Sequence, residues 1–183
     1  MSGHKFNIKK LEKLNNPHRI EMIDLEKIVE NLKLRDNSLL VDIGAGTGIF
    51  SEKLLELIPK SNCYALDISR EMIDWINLNR IPRLHGRLKA SVMEESSISL
   101  KENLADLVFM ITVHHELDDA IVPLKDAKRV LNEDGKILIC DWKEGSHKHF
   151  VKKDKIVNDL KEAGFENIQE IDASEDLVCL IGY

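Results

Sequence analysis

Residues 41–50 read VDIGAGTGIF: an apolar run interrupted by Asp42, then glycines at 44, 46 and 48, then an apolar pair. A run of this kind ahead of alternating glycines predicts a strand that leaves its sheet through a tight turn and enters a helix. Gly44, Gly46 and Gly48 lower the steric barrier to left-handed backbone and to the close approach of a ligand. Two kinds of ligand fit such a turn. One is a dinucleotide, whose pyrophosphate rests on a helix N-terminus; the other is S-adenosylmethionine, which carries no phosphate.

Outward from this turn, short β-type runs alternate with helix-type segments. Candidate strands are Leu39–Ile43, Asn62–Asp67, Arg87–Val92, Leu107–Val113, Lys136–Asp141, Asn167–Asp172 and Leu177–Tyr183. Between them apolar residues recur at helical spacing, as in Leu54, Leu55 and Ile58, or Ile156, Val157 and Leu160. Upstream, Leu25, Ile28, Val29 and Leu32 mark a further helix. This alternation predicts an α/β fold with a mostly parallel sheet covered on both faces. Only residues 173–176 separate the last two strands, too few for a helical crossover, so the final strand is expected to run antiparallel. Residues 1–183 are expected to form one domain. Within it, residues 1–35 make an N-terminal segment and helix that covers the pocket, and 36–183 the core. The opening residues, 1–10, are polar and basic and are expected to be mobile.

Composition narrows the class. Across 183 residues, 43% hydrophobic and 32% charged residues are ordinary for a globular chain. The net charge of −6 offers no general attraction to nucleic acid or to anionic membranes, so neither is an expected partner. Cys63, Cys140 and Cys179 fall in apolar, strand-like runs and form no C-x-x-C pair, which predicts buried, reduced thiols. No stretch reads as a signal peptide or a membrane span, and a reducing cytoplasm is the expected compartment.

The glycine spacing separates the two ligands. A dinucleotide turn reads G-x-G-x-x-G, and its third glycine would fall on Ile49 here. Asp67 ends the second strand about 20 residues past the turn, where a carboxylate accepts from ribose hydroxyls in either case. Asp42 adds negative charge beside the turn and suits an ammonium and a sulfonium better than a pyrophosphate. No Arg or Lys lies between Val41 and Phe50 to receive phosphates. A plainer reading competes for each residue: Asp42 orients the turn, and Asp67 with Ser69 opens the next helix, Ser69 as N-cap.

In this order and context the chain resembles the class I S-adenosylmethionine-dependent methyltransferases. VDIGAGTG is similar to their first motif and ALDIS, with Asp67, to their second. ISLKENLADLVFM resembles the approach to their fourth strand, LNEDGKILICDWK their fifth, and LKEAGFENIQEID their last helix and sixth strand. NNPHRIEMID resembles a segment that folds over the pocket in some small members. The resemblance implies a Rossmann-like, seven-stranded sheet of order 3-2-1-4-5-7-6 with strand 7 antiparallel, and S-adenosyl-L-methionine as cofactor. By position, Gly44, Ala45, Gly46 and Gly48 would approach the methionine part, Asp67 the ribose, and Ile68 and Met72 the adenine. Where the family usually reads GDA after its third strand, this chain has Met93, Glu94 and Glu95, putting Glu94 or Glu95 at the adenine amino group. Met110 and Ile111 would line the cofactor near its reactive end.

The chemistry asks for an aligned nucleophile and, for a hydroxyl or an ammonium, a base. Candidates are His114 and His115 in VHHELDD, with Asp141 at the end of the fifth strand; the competing reading has them bonding loop backbone. His147 and His149 alternate in GSHKHF without a third ligand, which reads as solvated loop, not a metal site. The basic run Lys148, Lys152, Lys153 and Lys155 reads as a helix face. MITVHH stands where base N-methylating enzymes carry an Asp/Asn-Pro-Pro-aromatic motif, which leaves a small molecule as the expected methyl acceptor. A non-catalytic S-adenosylmethionine-binding protein ranks second, and an NAD(P)-dependent oxidoreductase third.

Overall fold

The computed structural model describes residues 8–94 and 97–183. Its strands follow the apolar runs: β1 (Leu39–Ile43), β2 (Asn62–Asp67), β3 (Leu88–Val92), β4 (Ala105–Ile111), β5 (Leu131–Trp142), β6 (Ile168–Ile171) and β7 (Leu177–Gly182). Helices are α1 (Ile8–Leu14), α2 (His18–Glu21), α3 (Leu25–Leu32), α4 (Ile49–Leu57), α5 (Arg70–Asn79), α6 (Ile121–Val130) and α7 (Lys153–Glu162). The strands form one sheet of order β3-β2-β1-β4-β5-β7-β6. β7 runs antiparallel to both β5 and β6, and the remaining pairs are parallel.

Alternate residues of the central strands divide between two cores. Leu40, Leu107, Phe109, Leu138 and Cys140 pack with α3, α4 and α5 on one face. Val41, Val108, Met110, Ile137 and Ile139 pack with α6 and α7 on the other. A strand buried on both faces reads as a near-continuous apolar run, which is why these strands are recognisable without a polar alternation. The crossovers change faces between β1 and β4, and that change makes the topological switch point at which open α/β sheets bind ligands. Cys63, Cys140 and Cys179 are buried and unbridged, with Cys140 opposite Cys179 in the β5–β7 register.

Several strand ends differ from the sequence expectation: β5 begins at Leu131, five residues before the expected Lys136, and the end of β4 bears on the site. β4 was expected to reach Val113 but ends at Ile111, because Thr112 adopts a left-handed φ of 58° that turns the chain out of the sheet. A β-branched residue is costly there. The residues after it, His114–Glu116, form a single 3₁₀ turn, and the next helix begins at Ile121.

Candidate active site

The glycine turn is pinned to the end of β2. The backbone N–H groups of Gly44 and Ala45 both donate to the Leu66 carbonyl, at 2.9 and 3.0 Å. Gly44 has φ +71°, and a Cβ added to it would stand 2.6 Å from Val113, so the position excludes a side chain twice over. Gly48, at φ +69°, is the N-cap residue of α4. Asp67 clasps the turn: its Oδ2 accepts from Gly46 N–H at 2.7 Å and its Oδ1 from Ser69 N–H at 2.8 Å. Ser69 in turn caps α5, its hydroxyl accepting from Met72 N–H. The carboxylate therefore holds the turn and stands at the mouth of the switch point at once.

The expected cofactor residues fall into two groups. Gly44, Ala45, Gly46, Gly48 and Asp67 converge on the carboxyl ends of β1 and β2. Ile68 follows directly and is 59% exposed, an apolar side chain left uncovered beside the turn. Glu94 is exposed just past β3, on a backbone bridge to Ser97. The second group lies inside. Asp42 is buried and accepts from the Ser51 hydroxyl at 2.6 Å, and Met72, Met110 and Ile111 are buried core residues. Burial pushes the Asp42 carboxyl up to about 7; the Ser51 hydrogen bond opposes this and the neighbouring Asp67 adds to it. Glu95 lies outside the described residues.

Residues from upstream close over the turn. Leu14 at the end of α1 lies 3.6 Å from where a Cβ of Gly46 would be, and the Thr47 hydroxyl donates to the Leu14 carbonyl. Arg80 is buried and fully engaged: it donates to the Thr47 carbonyl and to Asn15 Oδ1, and pairs with Glu52. Arg19 of α2 donates from Nη2 to Thr112 Oγ1 at 2.7 Å and stands 5.3 Å over the Phe50 ring. No basic residue lies within the turn itself, yet the Arg80 guanidinium reaches it and that of Arg19 stands nearby, over Phe50 at the start of α4.

At the carboxyl ends of β4 and β5 the two adjacent histidines diverge. His114 is 3% exposed, and its Nε2 sits 3.2 Å from Asp159 Oδ2 of α7. That contact is close enough for an ion pair but off the line of a hydrogen bond, so both ring nitrogens are unpartnered. Burial lowers the His114 pKa, against the pull of Asp159 and Asp141. His115 instead meets Asp141, Nδ1 to Oδ1 at 2.7 Å, and Asp141 also accepts from the backbone N–H groups of His115 and Trp142. Burial opposes protonation of His115, but the Asp141 hydrogen bond and charge outweigh it and raise the pKa. With Nδ1–H given to Asp141, Nε2 is the free acceptor; its nearest carboxylate, Glu116 Oε1, is 3.8 Å away.

One neighbour escaped the sequence reading. His147, expected in a solvated loop, stacks on Trp142 at 4.6 Å between ring centroids and meets His115 edge-on at 6.2 Å. Nothing in its spacing marks it, since the contact depends on how the chain after β5 folds back. Among the described residues no cluster of three or more His, Cys, Asp or Glu is placed to hold a metal ion. Lys153 and Lys155 of the basic run pair with Glu170 and Asp159. No helix among the described residues is long and apolar enough to cross a membrane.

Comparison with known proteins agrees with this arrangement. Residues 41–139 match the family model described as a methyltransferase domain. A malonyl-[acyl-carrier protein] O-methyltransferase of Methylococcus capsulatus is 27% identical over 107 residues, which is 58% of this chain and 38% of that protein. A second such enzyme, from Ilyobacter polytropus, is 30% identical over 62% of this chain and 40% of its own length. The matched region thus spans about two fifths of these relatives. The crystal structure of a SAM-dependent methyltransferase from Aquifex aeolicus is 25% identical with a TM-score of 0.87, over 97% of this chain and 98% of that one. The chain belongs to the methyltransferase domain family, in its class I S-adenosylmethionine-dependent group.

Proposed function

We propose that the chain transfers a methyl group from S-adenosylmethionine to an oxygen atom of a small acceptor, either free or presented on a carrier. S-adenosylmethionine supplies the electrophilic methyl group. The glycine turn offers backbone to its amino-acid part, Asp67 accepts from the ribose hydroxyls, and Ile68 offers an uncovered apolar face to the adenine. Glu94 stands where it can accept from the adenine amino group. Asp42 acts from below, as a buried partner of the turn. Met72, Met110 and Ile111 support the pocket as packing. The segment with α1 and α2 covers the cofactor.

The single observation that carries the catalytic part is the 2.7 Å contact between His115 Nδ1 and Asp141 Oδ1 at the ends of β4 and β5. Asp141 fixes the ring and its tautomer, leaving Nε2 to take a proton from an acceptor hydroxyl. His114, buried against α7, is read as structural. A second reading follows from the substrate for which those relatives are named. The oxygen of a malonyl thioester that is open to methylation belongs to a carboxylate, which is already ionised near neutrality and needs no base. There the protonated His115 would hold the acceptor by charge.

The pH dependence of kcat separates the two. The hydrogen bond and charge of Asp141 raise the His115 pKa above the ordinary 6.5 of an imidazole. A hydroxyl acceptor requires the neutral ring, so kcat rises with pH through a midpoint above 6.5. A carboxylate acceptor requires the cation, so the rate falls through the same midpoint. S-adenosylhomocysteine release is the readout, with malonyl-carrier protein and small phenols or alcohols as acceptors. Asp141→Asn is expected to lower kcat by about 10²-fold or more in the first case. A profile flat from pH 5 to 9 that the substitution leaves unchanged would remove His115 from the mechanism.

A further inference from the structure

Two arginines stand at or beside the glycine turn, and they differ in how their charge is met. Arg80 shows a buried guanidinium fully satisfied: a carboxylate, a carbonyl and an amide oxygen share its donors. Arg19 has one hydroxyl, Thr112 Oγ1, for five N–H donors. Among the described residues no carboxylate lies within ion-pair distance of it. Asp42 and Glu116 act on it only at longer range, outside ion-pair distance. The Arg19 side chain is nonetheless partly buried, wedged over Phe50 at the start of α4.

An anchor for α2 would not need this chemistry. A hydroxyl is a neutral acceptor, and a side-chain amide would serve it while leaving no charge to desolvate. Among the described residues the only buried side-chain nitrogens without a partner are those of His114, so the unengaged donors of Arg19 keep access to water, and a partner of opposite charge arriving there would gain charge-assisted hydrogen bonds at a half-buried site. Its place tells where that partner would stand: between the ends of β1 and β4, at the switch point, with the glycine turn on one side and the 3₁₀ turn of His115 on the other. The flat fork suits a two-oxygen anion, met by two parallel hydrogen bonds.

We infer that Arg19 is the carboxylate-binding residue of this site, and that ligand binding completes the ion pair which the described residues leave open. This rests on the reading of the site as an S-adenosylmethionine pocket. Two sources of carboxylate are at hand, the methionine part of the cofactor and a carboxylate acceptor. In either case α2 is tied down by the ligand as well as by Thr112, so the covering segment reports occupancy of the pocket.

The test is calorimetric titration of the full chain and of Arg19→Gln and Arg19→Lys, with His18→Ala as a control on the exposed side of α2. Ligands are S-adenosylmethionine, its decarboxylated analogue, and malonate added in the presence of S-adenosylhomocysteine. If the cofactor supplies the carboxylate, Arg19→Gln weakens S-adenosylmethionine by about 10- to 100-fold and leaves the decarboxylated analogue within about twofold. Arg19→Lys then recovers part of the loss. If the acceptor supplies it, the cofactor is unaffected and malonate binding is lost in Arg19→Gln alone. Equal effects on both cofactor forms, with no change for malonate, would overturn the inference. Failure of the unaltered chain to bind any adenosyl ligand would instead overturn the pocket reading. The unfolding temperatures of the free variants guard against a folding defect, and Arg19→Lys, which keeps the charge, serves if Arg19→Gln does not fold.

Discussion

Asp42 is 3% exposed, and the Ser51 hydroxyl is the hydrogen-bond partner of its carboxyl. Its pKa is raised by burial from 3.8 to about 7. A group whose folded pKa lies above its unfolded one favours the fold only while protonated, so this contribution is lost as pH rises from about 4 through about 7. Asp42→Asn keeps an oxygen for Ser51 and removes the ionisation. It is therefore expected to match the parent in urea unfolding near pH 4 and to exceed it by up to about 4 kcal/mol at pH 8. A difference independent of pH would contradict the buried-acid account. The type of this residue was legible in the sequence, and so was its place before the turn. Its partner was not: Ser51 lies nine residues on, and only the start of α4 brings the hydroxyl back beneath the strand.

The turn between β1 and α4 depends on Gly44 at two levels, a backbone with φ +71° and a missing Cβ that would meet Val113 at 2.6 Å. Val113 belongs to the segment that Thr112 turns out of the sheet, so the two loops at the switch point are packed against each other. Gly44→Ala is expected to cost about 1–3 kcal/mol in urea unfolding and to disturb the His115 loop as well as the turn. Gly86→Ala is the comparison: it shares the positive φ but has nothing within 4 Å of the added Cβ, so its loss should be smaller. Equal losses would mean that backbone strain alone matters. The first two strands were read to the residue because a turn residue or a charged one bounds each end. β4 was overrun by two residues because valine and threonine favour strands, and no residue type announces a left-handed threonine. The reach of His147 onto Trp142 was hidden for a similar reason, being set by the fold of a loop.

Over the whole molecule, topology was the most legible feature. Strand–helix alternation dictated a parallel sheet, and the short link before β7 dictated its reversal. The site was half legible. The turn and Asp67 carry a spacing that chemistry explains, whereas the pairing of His115 with Asp141 joins residues 26 apart across two strands. The upstream segment that brings Leu14, Asn15 and Arg19 to the turn was legible only through resemblance. Because a fold of this kind hosts many activities, the central claim rests on its ligand. That claim is tested most directly by titration calorimetry of the full chain with S-adenosylmethionine and NADPH, repeated on Asp67→Ala. The account predicts saturable binding of S-adenosylmethionine, weakened at least tenfold by the substitution, and none of NADPH. Binding of NADPH in preference to S-adenosylmethionine, or affinity for S-adenosylmethionine that is indifferent to Asp67, would contradict it.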